Sequence, residues 1–480
     1  MVMVMSSRRT ILRILGIIVF TLLGYVFYYC WQVVAIGAAY KAKILCSSVF
    51  ISKRSPQDIM REDLGGIMSM IKAHIDFASK SVTTSFPGVP PQRAIFRDQL
   101  GCTLLAGASD TEILGQTRAV ETNSLNSPGR MKKDAKIKAF AEGNLSPQVS
   151  SDKLLRALDK AFSEKNPDNP IMTRAVVVVY HGQIIAERYA PGISADTPLP
   201  GWSMTKSVTN AVVGILVKQG KLSIDQPVRI AEWSGTGDPR KIITLDHLLR
   251  MSSGLTFDER SGPVVSDVNR MLLRSRDAAA YALAKQLKHE PGTYWHYSSG
   301  TTNIISRIIR ESVGGSVTDY HSFPRKTLFD KIGIDSAVME VDAGGTFVGS
   351  SFMYATARDW ARFGLLYQQD GVWDGERILP SGWVSYSTTP SPTAPQGRYG
   401  AHFWTNGGDK ATNSERPFKR LPADTFYASG YEGQFITIIP SCNLVVVRLG
   451  LTKNLKALDM ESFVSDVLAA VSTTENRSSR

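Results

Sequence analysis

The sequence predicts an α/β (α+β) domain in which an antiparallel sheet, flanked by helices, is built from both ends of the domain. A helical region is inserted between those ends, and an N-terminal transmembrane helix precedes the whole. Three observations carry this. Residues 14–40 contain no charged side chain. Two β-branched runs flank His181-Gly182, and two more, FITIIP (435–440) and LVVVRLG (444–450), lie near the C-terminus. Between these hairpins the apolar residues recur at helical rather than strand spacing.

The charge-free run is long enough to cross a bilayer as a helix. Arg8, Arg9 and Arg13 precede it, and Lys41 and Lys43 follow it. Tyr25, Tyr28, Tyr29 and Trp31 fall in its second half, where interfacial aromatic residues concentrate. The core of a signal peptide is usually shorter, so an uncleaved anchor is the favoured reading over a removed signal. The arginine cluster leads us to expect residues 1–13 in the cytoplasm and the folded domain outside, which would be the periplasm of a Gram-negative bacterium. Residues 41–150 are expected to form a membrane-proximal segment and linker. Within them, 105–150 is rich in Ser, Thr, Asn, Gly and Lys and reads as a long loop. Cys46 and Cys102 are either a disulfide, which an exported domain permits, or two buried thiols.

The domain proper is expected over 151–480. An amphipathic helix from Asp152 to Glu164 leads into the first hairpin, where His181 reads as a turn residue rather than a catalytic base. In GWSMTKSVTNAVVGILVKQG (201–220), Met204, Val208, Ala211, Val212 and Ile215 mark a buried helix that ends at Gly220. Residues 243–310 read as mostly helical with polar turns, and a helix from about Leu455 to Val471 closes the domain.

Composition narrows the function classes. Hydrophobic residues make up 43% and charged residues 20%, ordinary for a folded protein, with a net charge of +12. The positive residues are scattered among acidic ones. The densest stretch, Arg130, Lys132, Lys133, Lys136 and Lys138, reads as a solvated linker face, so nucleic acid is not an expected partner. The four cysteines form no Cys-x-x-Cys pair, and neither His-Glu-x-x-His nor a Walker-type loop occurs. No metal or cofactor is therefore expected.

Ser203-Met204-Thr205-Lys206 puts a hydroxyl and an amine three residues apart, on one face of a helix start. A serine needs a base to become a nucleophile, and a buried lysine can lose its proton and serve. Alone, the spacing is common, and a capping serine beside a surface lysine would explain it. Two further boxes change that. Tyr297-Ser298-Ser299 offers a phenol able to exchange a proton with a lysine. Ser429-Gly430, in YASGYEGQFITIIP, stands just ahead of a strand whose edge can supply an oxyanion N–H. Trp202 beside the nucleophile walls the pocket or simply packs, and Tyr294, Trp295 and His296 pose the same choice. Arg358 and Asp359 read as an internal ion pair at a helix start.

Three boxes in this order resemble the serine β-lactamase and penicillin-binding protein superfamily over about residues 165–472. ITLDHLLRMSSGL (243–255), EPGTYWHYSSG (290–300) and ATARDWARFGLLYQQDGVWDGERILP (355–380) reinforce the likeness. The chain looks most similar to the 6-aminohexanoate-dimer hydrolase-like group within the class C β-lactamase branch. The resemblance implies a β-lactamase-like fold. It makes Ser203 the acylated nucleophile, Lys206 the group that helps deprotonate it, and Tyr297 the proton shuttle. The backbone N–H groups of Ser203 and Tyr431, the latter following Ser429 and Gly430, become the oxyanion hole.

Two positions depart from the superfamily pattern. Ser299 stands where β-lactamases carry Asn, and Ala428 where a Lys or His is usual. Ala428 offers no charge to a substrate carboxylate. Both departures point to a small-molecule amide or ester as substrate rather than a β-lactam. The alternatives are a penicillin-binding or peptidoglycan-sensing protein that does not turn over, or a β-lactamase or D-alanyl carboxypeptidase.

Overall fold

The computed structural model describes residues 2–116, 149–260, 264–408 and 415–471. The basic stretch from Arg130 to Lys138 lies outside the described residues, as does most of the expected linker.

The charge-free run sits inside one longer helix, α1 (Val2–Phe50). From Leu12 through Cys30 its side chains are exposed and overwhelmingly apolar. From Ala35 onward the same helix is buried. Small residues at Ala35, Ala38, Ala39 and Ala42 let other backbone approach closely there. Lys41 and Lys43, which bound the run in sequence, do not reach solvent. Lys41 Nζ donates to the carbonyls of Met68 (2.8 Å) and Ile71 (2.6 Å), and Lys43 forms an ion pair with buried Glu340.

What covers α1 was not expected from the sequence. After α2 (Pro56–Glu62) comes an antiparallel meander of β1 (Lys72–Asp76), β2 (Ser81–Phe86), β3 (Val89–Arg97) and β4 (Gly101–Leu104). Its inner side chains Val82, Ala94, Cys102 and Leu104 pack on Ile36, Ala39, Ala42, Cys46 and Val49 of α1. Pro90 and Pro91 argue against a strand in sequence. They are tolerated because they lie at the start of β3, on its exposed side. A Cys46–Cys102 disulfide joins α1 to β4. Residues 110–116, inside the segment read as a loop, are helical, and Ile113 is buried.

The large sheet has six antiparallel strands. After α3 (Ser151–Phe162) come β5 (Thr173–Tyr180) and β6 (Gln183–Tyr189). The rest are β7 (Trp404–Thr405), β8 (Phe426–Gly430), β9 (Gln434–Ile439) and β10 (Leu444–Gly450), in the order β7-β8-β9-β10-β5-β6. The two ends of the domain meet where Val446 of β10 faces Val178 of β5. His181 and Gly182 take φ of +47° and +74°, as a two-residue hairpin turn demands, so His181 is a turn residue.

The period-2 alternation sorts the sheet's side chains onto two faces. Val176, Val178 and Val446 pack under α3 and α7, which runs Met460–Val471. Val177, Val179, Val445 and Val447 face the inserted region, with α4 (Thr205–Lys218), α5 (Ser299–Val313) and α6 (Ala357–Gln368). The last helix starts at Met460 rather than Leu455 because Asp459 accepts from the Ser462 N–H and caps it there. Arg358 and Asp359 do not pair with each other. Adjacent helix positions point apart, so Arg358 reaches Glu187 on β6 while Asp359 takes Arg362 and Ser336.

Candidate active site

The nucleophile candidate is presented by a tight turn. Gly201 precedes it, and a Cβ there would stand 2.3 Å from the Trp360 ring. Trp202 follows with φ of +48°, a left-handed conformation that costs a non-glycine residue about 1–2 kcal/mol. A short 3₁₀ turn, Trp202–Met204, then runs into α4. Packing holds the strained turn in place. The Trp202 ring lies parallel to Tyr40 of α1 at 6.5 Å and edge-on to Tyr431 at 5.5 Å. Of the two sequence readings for Trp202, the packed one describes these contacts. On the far side, a Cβ on Gly430 would fall 2.1 Å from the Gly201 carbonyl oxygen. Only glycine lets the end of β8 approach the turn this closely, and this approach brings Tyr431 beside Trp202.

Helical spacing carries Ser203 and Lys206 to one spot. Lys206 Nζ lies 3.0 Å from Ser203 Oγ, 3.0 Å from Ser299 Oγ and 3.0 Å from the Ser350 carbonyl oxygen. The Ser299 hydroxyl donates its own hydrogen to Glu259 Oε1 (2.5 Å), and its backbone N–H donates to Glu259 Oε2 (2.7 Å). The Ser299 oxygen is therefore left to accept from Lys206. A neutral amine has two hydrogens, and the Ser350 carbonyl and Ser299 Oγ take both. In that neutral form its lone pair is left for the Ser203 hydroxyl, to which the ammonium form donates instead. Lys206 is 1% exposed, and burial pulls its ammonium down to about 8, against the opposing pull of the Glu259 carboxylate. Burial likewise pushes Glu259 up, with Lys206 opposing.

Tyr297 completes the cluster. Its ring lies 4.8 Å from Lys206 Nζ. Burial and the nearby Glu259 charge push its phenol up, while the Ser203 hydroxyl beside it works the other way. Tyr297 thus keeps its proton where Lys206 can lose one. Trp404 stacks on the Tyr297 ring at 5.6 Å, and Tyr399 meets it edge-on at 5.8 Å. Trp295 packs into the same aromatic group, and His296 Nε2 bonds the Phe257 carbonyl. Tyr294 stays outside, exposed and stacked on His289.

The structure thus brings Ser203, Lys206, Tyr297 and Ser299 together, with Ser429, Gly430 and Tyr431 at the adjoining strand end. Sequence reasoning missed Glu259, which stands in a polar loop with no periodicity to flag it. It also missed His402. Its Nδ1–H donates to the Lys206 carbonyl (2.9 Å) and its Nε2 faces Thr302 Oγ1 (3.1 Å). Burial holds it near 3 and therefore neutral, so it fixes the backbone of the lysine. Among the described residues, no group of three or more His, Cys, Asp or Glu side chains is placed to hold a metal.

The beta-lactamase family model matches residues 158–456, a range containing every group just described except Tyr40. The chain belongs to that family. It is 25% identical over 298 residues to the 6-aminohexanoate-dimer hydrolase of Paenarthrobacter ureafaciens, across 58% of this chain and 72% of the relative. A Bacillus anthracis structure described as a candidate 6-aminohexanoate-dimer hydrolase superposes with a TM-score of 0.52 at 22% identity. It covers 66% of this chain and 81% of that one. A family VIII carboxylesterase gives 0.50 at 17%, over 68% and 98%. These structural likenesses establish the β-lactamase-like fold. This family member is a serine hydrolase of the β-lactamase and penicillin-binding protein superfamily, related at low identity to 6-aminohexanoate-dimer hydrolase.

Proposed function

We propose that the protein is a membrane-anchored hydrolase that cleaves a linear amide or ester through an acyl-enzyme on Ser203. The observation that carries this is the position of the buried Lys206 Nζ, 3.0 Å from Ser203 Oγ with the Ser299 hydroxyl and the Ser350 carbonyl as its other two partners, which supports a free amine taking the Ser203 proton. Ser203 Oγ attacks the substrate carbonyl carbon and passes its proton to Lys206 Nζ. The resulting oxyanion is held by the N–H groups of Ser203 and Tyr431. Tyr297 gives its phenolic proton to the departing nitrogen or oxygen and regains one from Lys206. The acyl-oxygen bond to Ser203 is then broken by water, whose proton returns through Tyr297. Ala428 is buried and carries no charge for a substrate carboxylate, which supports a linear amide or ester over a β-lactam.

The anchor reading is supported by length. The exposed stretch from Leu12 to Cys30 spans about 28 Å at 1.5 Å per residue, close to the hydrocarbon thickness of a bilayer, about 30 Å. The helix runs unbroken from this stretch into the buried part, which favours a retained anchor over a removed signal. The Cys46–Cys102 disulfide favours an oxidising compartment for the catalytic domain.

A fluorophosphonate probe tests the chemistry. Wild type should label covalently, and Ser203→Ala should not. Equal labelling of the two would remove Ser203 from the mechanism. A panel of p-nitrophenyl esters, 6-aminohexanoate dimer and nitrocefin then sorts the substrate class, and rapid nitrocefin turnover would contradict the role given to Ala428.

A further inference from the structure

The position of the catalytic centre along α1 is set by the fold. The exposed apolar stretch of this helix ends at Cys30, and the helix continues into the folded domain with no proline or break. The distance from the stretch to any group that packs on the helix is therefore a matter of helical rise. Just past Cys30, the Trp31 indole N–H donates to the carbonyl of Gly88 (3.0 Å), in the turn between β2 and β3. The Arg274 guanidinium lies 5.9 Å from the Trp31 ring and donates to the Gln92 side-chain oxygen (3.1 Å). Lys72 is exposed at the same end of the meander, because it pairs with Ser85, three residues before Gly88. Gln92 is a neutral partner, and among the described residues no carboxylate pairs with either cation. An indole and two cations at the rim of an apolar stretch suit the level of lipid headgroups, where aromatic rings concentrate and phosphates attract positive charge.

The catalytic groups are fastened to the next turns of the same helix. Tyr40, ten residues past Cys30, lies parallel to the Trp202 ring, one residue from Ser203. Val265, Leu272 and Leu273, at and just before the helix Asp267–Arg274, pack into the same α1 cluster as Trp202. Ser203 is half-buried and Tyr431 beside Trp202 is exposed, so the centre is open to one side. At 1.5 Å per residue, Tyr40 stands about 15 Å along the helix axis from the end of the apolar stretch. A bilayer has about 30 Å of hydrocarbon within about 40–45 Å overall, so each polar layer is about 5–8 Å thick. With Cys30 at the hydrocarbon edge, the nucleophile turn is held about 7–10 Å beyond the headgroups.

We propose that the enzyme acts on amphiphiles held in its own membrane, taking an ester or amide carbonyl that a polar spacer carries about 10 Å beyond the headgroups. The acyl esters of a glycerolipid lie at the hydrocarbon boundary, too deep for Ser203. A carbonyl on an extended, peptide-like headgroup reaches it, and residence in one membrane raises its effective concentration. This inference rests on the hydrolase and anchor readings above.

The test uses the full-length protein in vesicles of phosphatidylcholine and phosphatidylglycerol. The substrates are phosphatidylethanolamines extended by a succinyl-oligoglycine p-nitrophenyl ester with none, four or eight glycines. An extended glycine spans at most about 3.5 Å, so four reach the required height and none does not. Each Ser203-dependent rate is divided by that on soluble p-nitrophenyl butyrate, so that general damage to the site cancels. Wild type should hydrolyse the four-glycine lipid at least tenfold faster than the lipid without glycine. Seven polar, helix-forming residues inserted between Cys30 and Trp31 raise the domain by about 10 Å and nearly keep its rotational phase. That variant should lose tenfold on the four-glycine lipid and keep its rate on the eight-glycine lipid. Equal rates on the three lipids in wild type, or an insertion variant as fast as wild type on the four-glycine lipid, overturn the proposal. Ser203-dependent hydrolysis of the soluble ester upholds the hydrolase reading in that case. Absence of that hydrolysis overturns the hydrolase reading and this inference with it. Flotation checks the anchor separately: protein that does not rise with the vesicles overturns the anchor and the fixed height together.

Discussion

At Lys206 the chemistry turns on one proton. Burial pulls the ammonium down to about 8, so roughly a tenth of the molecules hold the free amine at pH 7. Only that form has a lone pair for Ser203. For a neutral ester, kcat/KM should rise about tenfold per pH unit below about 7 and flatten above about 8. Tyr297 is displaced upward and stays protonated throughout this window, so no falling limb should appear near neutrality. A profile that declines through pH 8 would mean that a protonated lysine does the work. Glu259 tunes the same proton from behind Ser299. Its charge favours the ammonium, so Glu259→Gln should move the acidic limb to lower pH. Glutamine also presents an amide N–H where one oxygen accepted from Ser299, so Ser299 turns and Lys206 loses its fixed orientation. A drop in kcat of about 10- to 100-fold is expected. A purely structural role for Glu259 would lower stability and leave the limb where it was. Ser203 and Lys206 were legible in the sequence because one helical turn brings them together. Glu259 was not, because forty residues of chain and a tertiary contact separate it from Ser299.

The elements that escaped the sequence are those whose residues look wrong for their surroundings. β1 offers Lys72 and His74 to solvent, and β3 carries Pro90 and Pro91 directly after Val89, so neither shows a clean alternation. Lys41 and Lys43 look like charges flanking a membrane span, yet both are buried in the protein. The hairpins β5–β6 and β9–β10 were legible because they are central strands, rich in valine and isoleucine, with turns that demand Gly182 and Asn443. Lys43 shows what a charge in the wrong place does for an element. It ties α1 to Glu340, which also accepts from Ser47 Oγ and the Cys102 N–H, and Lys43 itself donates to the Cys102 carbonyl. Lys43→Met would leave the Glu340 carboxylate buried without a counter-charge, costing about 3–5 kcal/mol. Lys43→Met with Glu340→Gln should recover much of that loss, because the glutamine is neutral. Urea denaturation followed by circular dichroism measures both. A double variant as unstable as the single one would show that packing around Lys43, rather than charge, sets the cost.

For the molecule as a whole, α1 divides into two unlike halves. Its first part presents apolar side chains to the outside, and its second part is core. The family match begins at residue 158, so this helix lies ahead of the matched range. The fold ties it in at three levels. The disulfide closes a loop of 56 residues, worth about 4 kcal/mol in chain entropy. Arg54, next to α1, and Arg174 of β5 share Asp63. Tyr40 lies against Trp202, one residue from the nucleophile. Two truncations separate the roles. Removing residues 1–30 and exporting the remainder from a replacement signal should release the protein from the membrane fraction while keeping fluorophosphonate labelling. Removing residues 1–50 takes away Tyr40, Lys43 and Cys46 together. It uncovers Val82, Ala94 and Leu104, and leaves Glu340 unpaired. That variant should melt many degrees lower or fail to fold, with labelling lost even where soluble protein is recovered. The comparison isolates the buried half of the helix, since both truncations lack the exposed half. Equal melting temperatures and labelling rates for the two would mean that α1 only tethers the enzyme. A gap between them would mean that the turn holding Ser203 depends on the buried half of a helix whose other half is exposed and apolar.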